Sequence, residues 1–389
     1  MPSFVPLGIA DYSGNSERGF VQFTYQIADN NAKELTLQIR DGSSVIYEEK
    51  ITDANKLKQG EHIWKWDGFD SGGILDTAKL TQYENLNLYT IGVDSSNNYS
   101  RKKLDFSMRY DEVKWVDVKI DKNSKRVDVT LRVNLKDGGA RGIECREVIQ
   151  RDHLNPGMRT SKEVCPWDEI PQRDLITGKP PLTARTRSFE DLERLALDGI
   201  NYHWGRNSGH YIAKDVDIDG EKYEVYVNAI NTTEKAMDDV SLIFNTNGDW
   251  MRSGNPGTVE DPISFVGNIV SREAVCYNVG YIYEYFYKNS WDYQSESSEN
   301  LEFRFTTAHE IGHTILKAYG GTFYSYGHKG SVNTITQNRK SSAPSYPSSG
   351  EIDIMPYYPY SPPQTAYNRY VAAETDVLGL LWLTKLKLR

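Results

Sequence analysis

The stretch from Phe305 to Gly321 reads FTTAHEIGHTILKAYGG and contains the pattern His-Glu-x-x-His. On a helix, His309 and His313 lie one turn apart on the same side, the spacing at which two imidazoles hold one zinc ion. Glu310 follows the first histidine, where a carboxylate reaches the attacking water rather than the metal. Apolar residues line one face of the segment, and two glycines end it. The stretch therefore predicts a buried helix with a catalytic zinc site. A helix with two exposed histidines is the alternative.

A catalytic zinc ion needs a third protein ligand and an open position. Three residues beyond the helix are candidates for that ligand: His328 in YSYGHKGS, Glu351 in GEIDIMPYY and Glu374 in AAETDVLG. Alternation in an extended segment would send residues 351, 353 and 355 to one face. The residues alone leave the choice among the three open.

The compact metzincin pattern His-x-x-Gly-x-x-His is absent, because Tyr319 occupies its third histidine position. Ile354-Met355-Pro356 nevertheless looks like the methionine-containing turn that those enzymes place under the zinc. The sequence therefore indicates a zincin that is not a metzincin.

The first part of the chain predicts a β-rich module, with short alternating or β-branched runs separated by turn residues. The runs are Phe20 to Ile27, Leu35 to Arg40, Val45 to Tyr47, His62 to Trp66 and Leu86 to Val93. The segment from Gly60 to Thr77, GEHIWKWDGFDSGGILDT, resembles the Trp-x-Gly-x-Asp-x-x-Gly pattern of immunoglobulin-like modules of the flagellar hook-cap type. The resemblance implies a β-sandwich adaptor in which Trp66 is packed and Asp67, Gly68 and Asp70 shape a tight turn.

The rest of the chain has mixed patterns. Two hairpins are expected, one around residues 121–124 and one at Asp219-Gly220. At the second position a hairpin is a better interpretation than an EF-hand calcium loop, because Tyr226 occupies the position where such a loop needs Glu. Ser188 should cap a helix that Gly199 closes. A covering loop is expected over 137–187, and helices over 301–319 and 366–388. The fold class is α+β, with an Ig-like β-sandwich at 1–110 and a zincin-type metallopeptidase domain at 111–389.

Several segments together resemble the zincin metallopeptidase effectors of bacterial type VI secretion systems, including the catalytic extensions of VgrG spike proteins. They are FEDLERLALDGINYHWGR, HEIGHTIL, YGG, YSxxHKGS and GEIDIM, within residues 112 to 389. The resemblance implies zinc held by His309, His313 and Glu351, with Glu310 as general base. His328, if not a ligand, is then a candidate donor to the oxyanion, in competition with Tyr324, Tyr326 and Tyr357.

The resemblance also implies a toxin that hydrolyses amide bonds in the recipient's periplasm. Expected partners are a peptide or protein substrate, including peptidoglycan peptides, an immunity protein and a component of the secretion spike. A cytosolic housekeeping zinc protease is the rival within the enzyme class. A non-catalytic spike-docking adaptor with a degenerate peptidase fold is the rival outside it.

Charge and composition bear on partners and location. The formal net charge of −9 argues against nucleic acid or anionic lipid as the main partner. The N-terminus lacks the features of a secretory signal, and no apolar run is long enough to insert into a membrane. We therefore expect synthesis in the cytoplasm, with any export by another route.

Two other sets of residues have alternative readings. Cys145 and Cys165 could form a disulfide in an oxidising compartment, and with Cys276 they could equally be three buried thiols. His203 and His210 could line the cleft beside the zinc, although most histidines of this kind are simply satisfied by neighbouring groups.

Overall fold

The computed structural model describes residues 2–151, 157–175, 178–247, 274–285, 288–292, 295–327, 345–356, 358 and 364–389. It is a mixed α+β structure in which strands predominate. Its helices are α1 (Thr77–Gln82), α2 (Phe189–Trp204), α3 (Glu296–Gly327) and α4 (Glu374–Trp382). Short 3-10 turns cover Pro6–Gly8, Pro166–Glu169, Gln172–Asp174 and Gln364–Arg369.

The strands are, in chain order, β1 (Ser3–Phe4), β2 (Val21–Ile27), β3 (Ala32–Asp41), β4 (Ser44–Lys50), β5 (Gly60–Trp66), β6 (Ile74–Asp76), β7 (Leu86–Asp94), β8 (Tyr99–Asp105), β9 (Met108–Tyr110), β10 (Val116–Asp121), β11 (Arg126–Arg141), β12 (Arg146–Arg151), β13 (Arg159–Val164), β14 (Val216–Ile218), β15 (Glu221–Asn231), β16 (Asp239–Asn247), β17 (Ala274–Tyr285), β18 (Lys288–Asp292), β19 (Ile352–Asp353), β20 (Tyr370–Val371) and β21 (Leu386–Leu388). Among the described residues, no helix is long and apolar enough to cross a membrane.

The β-rich first part contains the five strands that the alternating runs predict. An antiparallel pair, β2 and β5, accompanies a four-stranded sheet in the order β4-β3-β7-β8. Aromatic rings join the two layers, since Trp64 of β5 stacks near Phe23 of β2 and Tyr47 of β4. Trp66 is buried, as the sequence predicts for this position.

The second part is built on a mixed sheet in the order β14-β15-β11-β16-β17-β18, with β10 also paired to β11. Both predicted hairpins are present, as the antiparallel pairs β10–β11 and β14–β15. Strand β11 buries every second residue from Val127 to Leu135, and it runs parallel to β15 and β16. Parallel strands need covering layers. Helix α2 packs against β15 and β11, α3 packs against β17, and the two helices pack against each other.

Strand pairing links the parts of the chain before and after residue 110. Strand β6 pairs with β10, and the C-terminal strand β21 lies between β1 and β9. Buried apolar residues from both parts form one continuous cluster. The domain boundary at residue 110 therefore stays a prediction, and the contacts across it are extensive.

Helix α2 begins where the sequence predicts and ends later. The Ser188 side chain accepts a hydrogen bond from the backbone N–H of Asp191, which caps the first turn. The predicted end at Gly199 is wrong, because α2 continues to Trp204. A methyl group at position 199 would lie within 3 Å of three backbone atoms of Arg304. Gly199 therefore permits the close approach of α2 and α3 instead of ending the helix.

Two other element predictions need correction. Residues 137–187 do not form one loop, because β11 extends to Arg141 and an antiparallel hairpin, β12–β13, follows. Residues 366–388 do not form one helix. They contain part of a 3-10 turn, β20, the short helix α4 and β21. The apolar content of this segment reflects burial in several elements, which a helical stripe does not distinguish from a buried strand.

Candidate metal centre

The two histidines of the His-Glu-x-x-His pattern lie together on α3. Their rings are perpendicular, with centroids 4.7 Å apart, and their Nε2 atoms are separated by 3.2 Å. Both side chains are buried, with 7% of His309 and 1% of His313 exposed. The exposed-histidine alternative is therefore wrong, and the two rings converge through the same ring nitrogen.

The opposite nitrogen of each ring is held by a hydrogen bond. His309 Nδ1 donates to the backbone carbonyl of Ile354 over 2.8 Å, and His313 Nδ1 lies 3.1 Å from the Ser325 hydroxyl. A carbonyl oxygen only accepts, so His309 carries its proton on Nδ1. In neutral imidazole the lone pair is then on Nε2, the atom that faces His313.

The separation of the two Nε2 atoms fits a pair of zinc ligands. Zn–N bonds of about 2.0–2.1 Å at a tetrahedral angle place two ligand nitrogens about 3.3 Å apart. The observed 3.2 Å matches that spacing. The chemistry and spacing of this donor pair therefore suit a zinc ion.

Two donors are not a complete site. Within the described residues, no group of three or more His, Cys, Asp or Glu side chains is arranged to hold a metal ion. His328 lies outside the described residues, as does Tyr357, and so does the side chain of Tyr326. Glu351 and Glu374 are described, and neither forms such a group with His309 and His313.

Glu351, the predicted carboxylate ligand, is held by an arginine. Arg206 donates from Nη1 to Oε2 over 2.9 Å and from Nη2 to Oε1 over 2.7 Å. The Arg206 side chain is 6% exposed and that of Glu351 is 37% exposed. The same guanidinium also donates to the backbone carbonyls of Asp215 and Ala372. Both Glu351 oxygens therefore already face a fixed cation.

The alternating face expected for residues 351, 353 and 355 is only partly present. Strand β19 covers two residues, and Ile354 and Met355 are both buried after it. Met355 Sδ and the Trp204 ring lie against Gly312, between the two histidines on α3. Trp204 Nε1 also donates to the Ala308 carbonyl over 3.0 Å. The methionine segment therefore packs against the histidine helix.

Glu310 is 9% exposed on α3, next to the first candidate ligand. Glu374, the third candidate for a ligand, lies at the start of α4, and its Oε1 accepts a hydrogen bond from the Asp217 backbone N–H in β14. That contact ties α4 to the edge of the sheet.

His203 and His210 have structural partners. His203 is buried, and its Nδ1 donates to the Tyr370 carbonyl over 2.6 Å. His210 Nδ1 accepts from the backbone N–H groups of Ile212 and Ala213. Burial disfavours the charged form and lowers the pKa of each ring from 6.5 to about 4. Both histidines are therefore neutral at physiological pH. His203 fits the reading as a satisfied side chain, whereas His210 Nε2 is buried and has no hydrogen-bond partner among the described residues.

An aromatic cluster lies beside His309. The Phe305 ring stacks near His309, with 6.1 Å between centroids, and makes edge contacts with Tyr367 and Tyr370. Tyr324, a candidate oxyanion donor, instead packs edge-on against Tyr12 and Tyr319. Burial raises the pKa of Tyr324 to about 12.

Sequence reasoning missed two functional candidates, Ser325 and Arg206. Both lie within segments that carry the family resemblance, YSYGHKGS and NYHWGR. Neither residue type nor spacing indicates their partners, since Ser325 contacts a residue 12 positions away and Arg206 one 145 positions away.

The hairpin β12–β13 is closed by a disulfide between Cys145 and Cys165, which flank its two strands. Cys276 is a buried thiol. Of the two readings for the cysteines, the disulfide is the one present.

Comparison with solved structures finds two crystal structures of truncated FlgD from the human pathogen Helicobacter pylori. The first, a monoclinic form, is 16% identical and covers 31% of this chain and 82% of that one, with a TM-score of 0.17. The second, from strain 26695, is 16% identical over 30% of this chain and 80% of that one, also with a TM-score of 0.17. At these values the likeness supports no conclusion. No protein-family model and no curated protein matches the sequence.

Proposed function

We propose that this chain is a zinc-dependent peptidase. The observation that supports the proposal is the convergence of His309 and His313 through Nε2 at 3.2 Å, with both Nδ1 atoms turned toward hydrogen-bond partners. Histidines that bind zinc almost always donate their other ring nitrogen to a carboxylate, a carbonyl or water, which fixes the orientation of the ring.

When bound, a zinc ion supplies Lewis-acid polarisation of the scissile carbonyl and makes water more acidic. The chain's own contribution to the reaction is proton transfer by Glu310. Its carboxylate takes a proton from the attacking water while the water oxygen bonds to the carbonyl carbon. It returns that proton to the leaving nitrogen as the C–N bond breaks. The products are a carboxylic acid and an amine, so water is consumed and nothing is oxidised or reduced.

His309 and His313 would hold the metal, and Glu351, His328 and Glu374 are the candidates for the third ligand. The family resemblance favours Glu351. In the structure Glu351 is paired with Arg206 and forms no metal-binding group with the histidines, so its assignment rests on the resemblance. Zinc content decides among the three: the alanine variant of the true ligand should purify without stoichiometric zinc, and the other two with it.

The substrate proposal is a peptide or protein in the periplasm of a recipient bacterium, with delivery by a type VI secretion spike and protection of the producer by an immunity protein. The β-rich first part would then be an Ig-like docking module. Besides the family resemblance, the Cys145–Cys165 disulfide supports an oxidising destination, because thiols are kept reduced in the cytosol. The alternative of a cytosolic housekeeping protease does not account for this disulfide.

The decisive experiment compares Glu310→Gln with wild type in zinc content and in hydrolysis of sacculi and denatured protein, read by mass spectrometry. We expect full zinc content and a fall in hydrolysis of about 10²–10⁴-fold, the range for loss of a general base. Glu302→Gln on the same helix is the matched control and should hydrolyse as wild type does. Wild-type rates in Glu310→Gln would remove the assignment, and absence of zinc in the wild-type protein would favour a non-catalytic adaptor.

Toxicity tests the destination separately. Expression with a periplasmic signal should arrest growth, whereas expression without one should not. Equal growth in both cases would contradict the toxin proposal and favour the cytosolic housekeeping protease.

A further inference from the structure

The Ser325 hydroxyl makes two contacts with the same residue. It lies 3.1 Å from His313 Nδ1 and donates to the backbone carbonyl of His313 over 2.9 Å. Ser325 is 1% exposed, so neither contact competes with bulk water. We propose that Ser325 is a positioning residue that fixes the tautomer and the orientation of the His313 imidazole for metal binding. The proposal rests on the proposed zinc peptidase function.

The contact requires the chain to reverse direction after the catalytic helix. Along a straight helix, residues 12 positions apart are separated by about 18 Å, at a rise of about 1.5 Å per residue. Gly321 interrupts α3 with φ 85° and ψ 175°, a conformation that a glycine adopts readily and other residues do not. The segment after it folds back, so that Tyr324 lies against Gly320 and Ser325 lies against His313. The YGG turn therefore delivers the hydroxyl to the ligand.

The direction of the two bonds follows from the number of protons. A hydroxyl has one proton, and the His313 carbonyl can only accept, so that proton is committed to the carbonyl. The oxygen must then accept from His313 Nδ1, which consequently carries the imidazole proton. The lone pair is left on Nε2, the atom that faces His309 Nε2. The Ile354 carbonyl does the same for His309, so each ring has its own fixed partner.

Loss of the hydroxyl should weaken metal binding without unfolding the site. Groups that orient a metal-bound histidine typically contribute 10–100-fold to metal affinity. Without Ser325 Oγ, the imidazole can rotate or place its proton on Nε2, and each such state must be reversed before a metal binds. Ser325→Ala should therefore lower zinc affinity by about 10–100-fold.

The test uses the full chain and measures zinc affinity by competition with a chelator. Ser325→Ala should show the loss, and Ser325→Thr, which retains a hydroxyl, should recover most of the affinity. Thr384→Val is the matched control, because Thr384 is also fully buried and its hydroxyl donates to the Leu381 carbonyl away from the histidines. Melting temperatures of the metal-free proteins separate a positioning role from a structural one. A positioning role predicts similar values for Ser325→Ala and Thr384→Val.

A second readout needs no metal. Nitrogen chemical shifts of ¹⁵N-histidine in the zinc-free protein, at mildly alkaline pH, report which ring nitrogen of His313 carries the proton. Wild type should show a larger share of the proton on Nδ1 than Ser325→Ala. Unchanged zinc affinity in Ser325→Ala, or equal shares in the two proteins, overturns the proposal. A wild-type protein that binds no zinc overturns the proposed function instead, while the tautomer measurement still decides what Ser325 does to the ring.

Discussion

The tight turn after β5 and the helix α3 each carry a short motif, but their polar groups find partners at very different distances along the chain. In the turn, Trp66 Nε1 donates to the Phe69 carbonyl over 2.7 Å, and Asp67 accepts from the Phe69 N–H. Asp70 Oδ1 accepts from the N–H groups of Gly72 and Ile74. Every one of these bonds joins residues within four positions.

On α3 the polar partners are remote. His309 is bonded to a residue 45 positions away, and His313 to one 12 positions away beyond the reversal at Gly321. The turn is therefore largely a local structure, whereas the histidine pair depends on two segments that only the folded chain brings to it. Substitutions in the two regions should accordingly differ in what they damage.

The largest expected effect on stability is in the first region. Trp66 is 1% exposed, so Trp66→Ala should lower the free energy of unfolding by about 3–5 kcal/mol, as truncation of a buried aromatic residue does. Denaturant titration measures the loss, and zinc content per folded molecule should stay unchanged. Tyr99→Ala, which truncates a 64% exposed ring in the same region, is the control. A loss below 1 kcal/mol for Trp66→Ala would show that the turn is not held by this side chain.

The buried His203 on α2 makes a contribution to stability that depends on pH. The pKa of His203 is about 4 in the folded chain and about 6.5 when unfolded, because burial disfavours its charged form. At this residue the unfolded state therefore binds more protons between these values, so the contribution of His203 is complete above pH 6.5 and is lost as the pH drops toward 4. The contribution of His203 is on the order of 3 kcal/mol.

Urea titrations of the zinc-free protein at several pH values measure this loss. His203→Gln should have a flatter pH dependence than wild type, with His62→Gln, a change at a half-buried histidine of the first region, as control. Parallel curves for His203→Gln and wild type would contradict a buried neutral His203.

The smallest of these effects tests the contact between α2 and α3. Gly199→Ala should cost about 1–3 kcal/mol from overpacking against the Arg304 backbone, although alanine is otherwise favoured over glycine in a helix by about 1 kcal/mol. Because α3 carries the histidines, zinc affinity should fall together with stability, unlike in Trp66→Ala. Gly92→Ala in β7, where a methyl group has space, is the control. A stabilised Gly199→Ala would mean that the helices separate readily.

The sequence predicts those elements that depend on residues close together along the chain. The strands of the first part, both hairpins and the start of α2 follow from alternation, turn residues and a capping serine, and all are confirmed. The predicted end of α2 is wrong because Gly199 allows the close approach of α2 and α3, which no local pattern indicates. The prediction of one helix over the C-terminal segment is wrong because burial, rather than helical periodicity, accounts for its apolar residues.

The sequence by itself determined the chemistry that the chain can present: two histidines and a glutamate at helical spacing, which require only the 3.6-residue period of a helix to lie together. The tertiary structure decided how those side chains are held. The Ile354 carbonyl and the Ser325 hydroxyl, which contact the two histidines, come from other segments of the chain, 45 and 12 positions away. Hydrogen bonds of this kind depend on where packing places the backbone, and one-dimensional spacing does not encode that position.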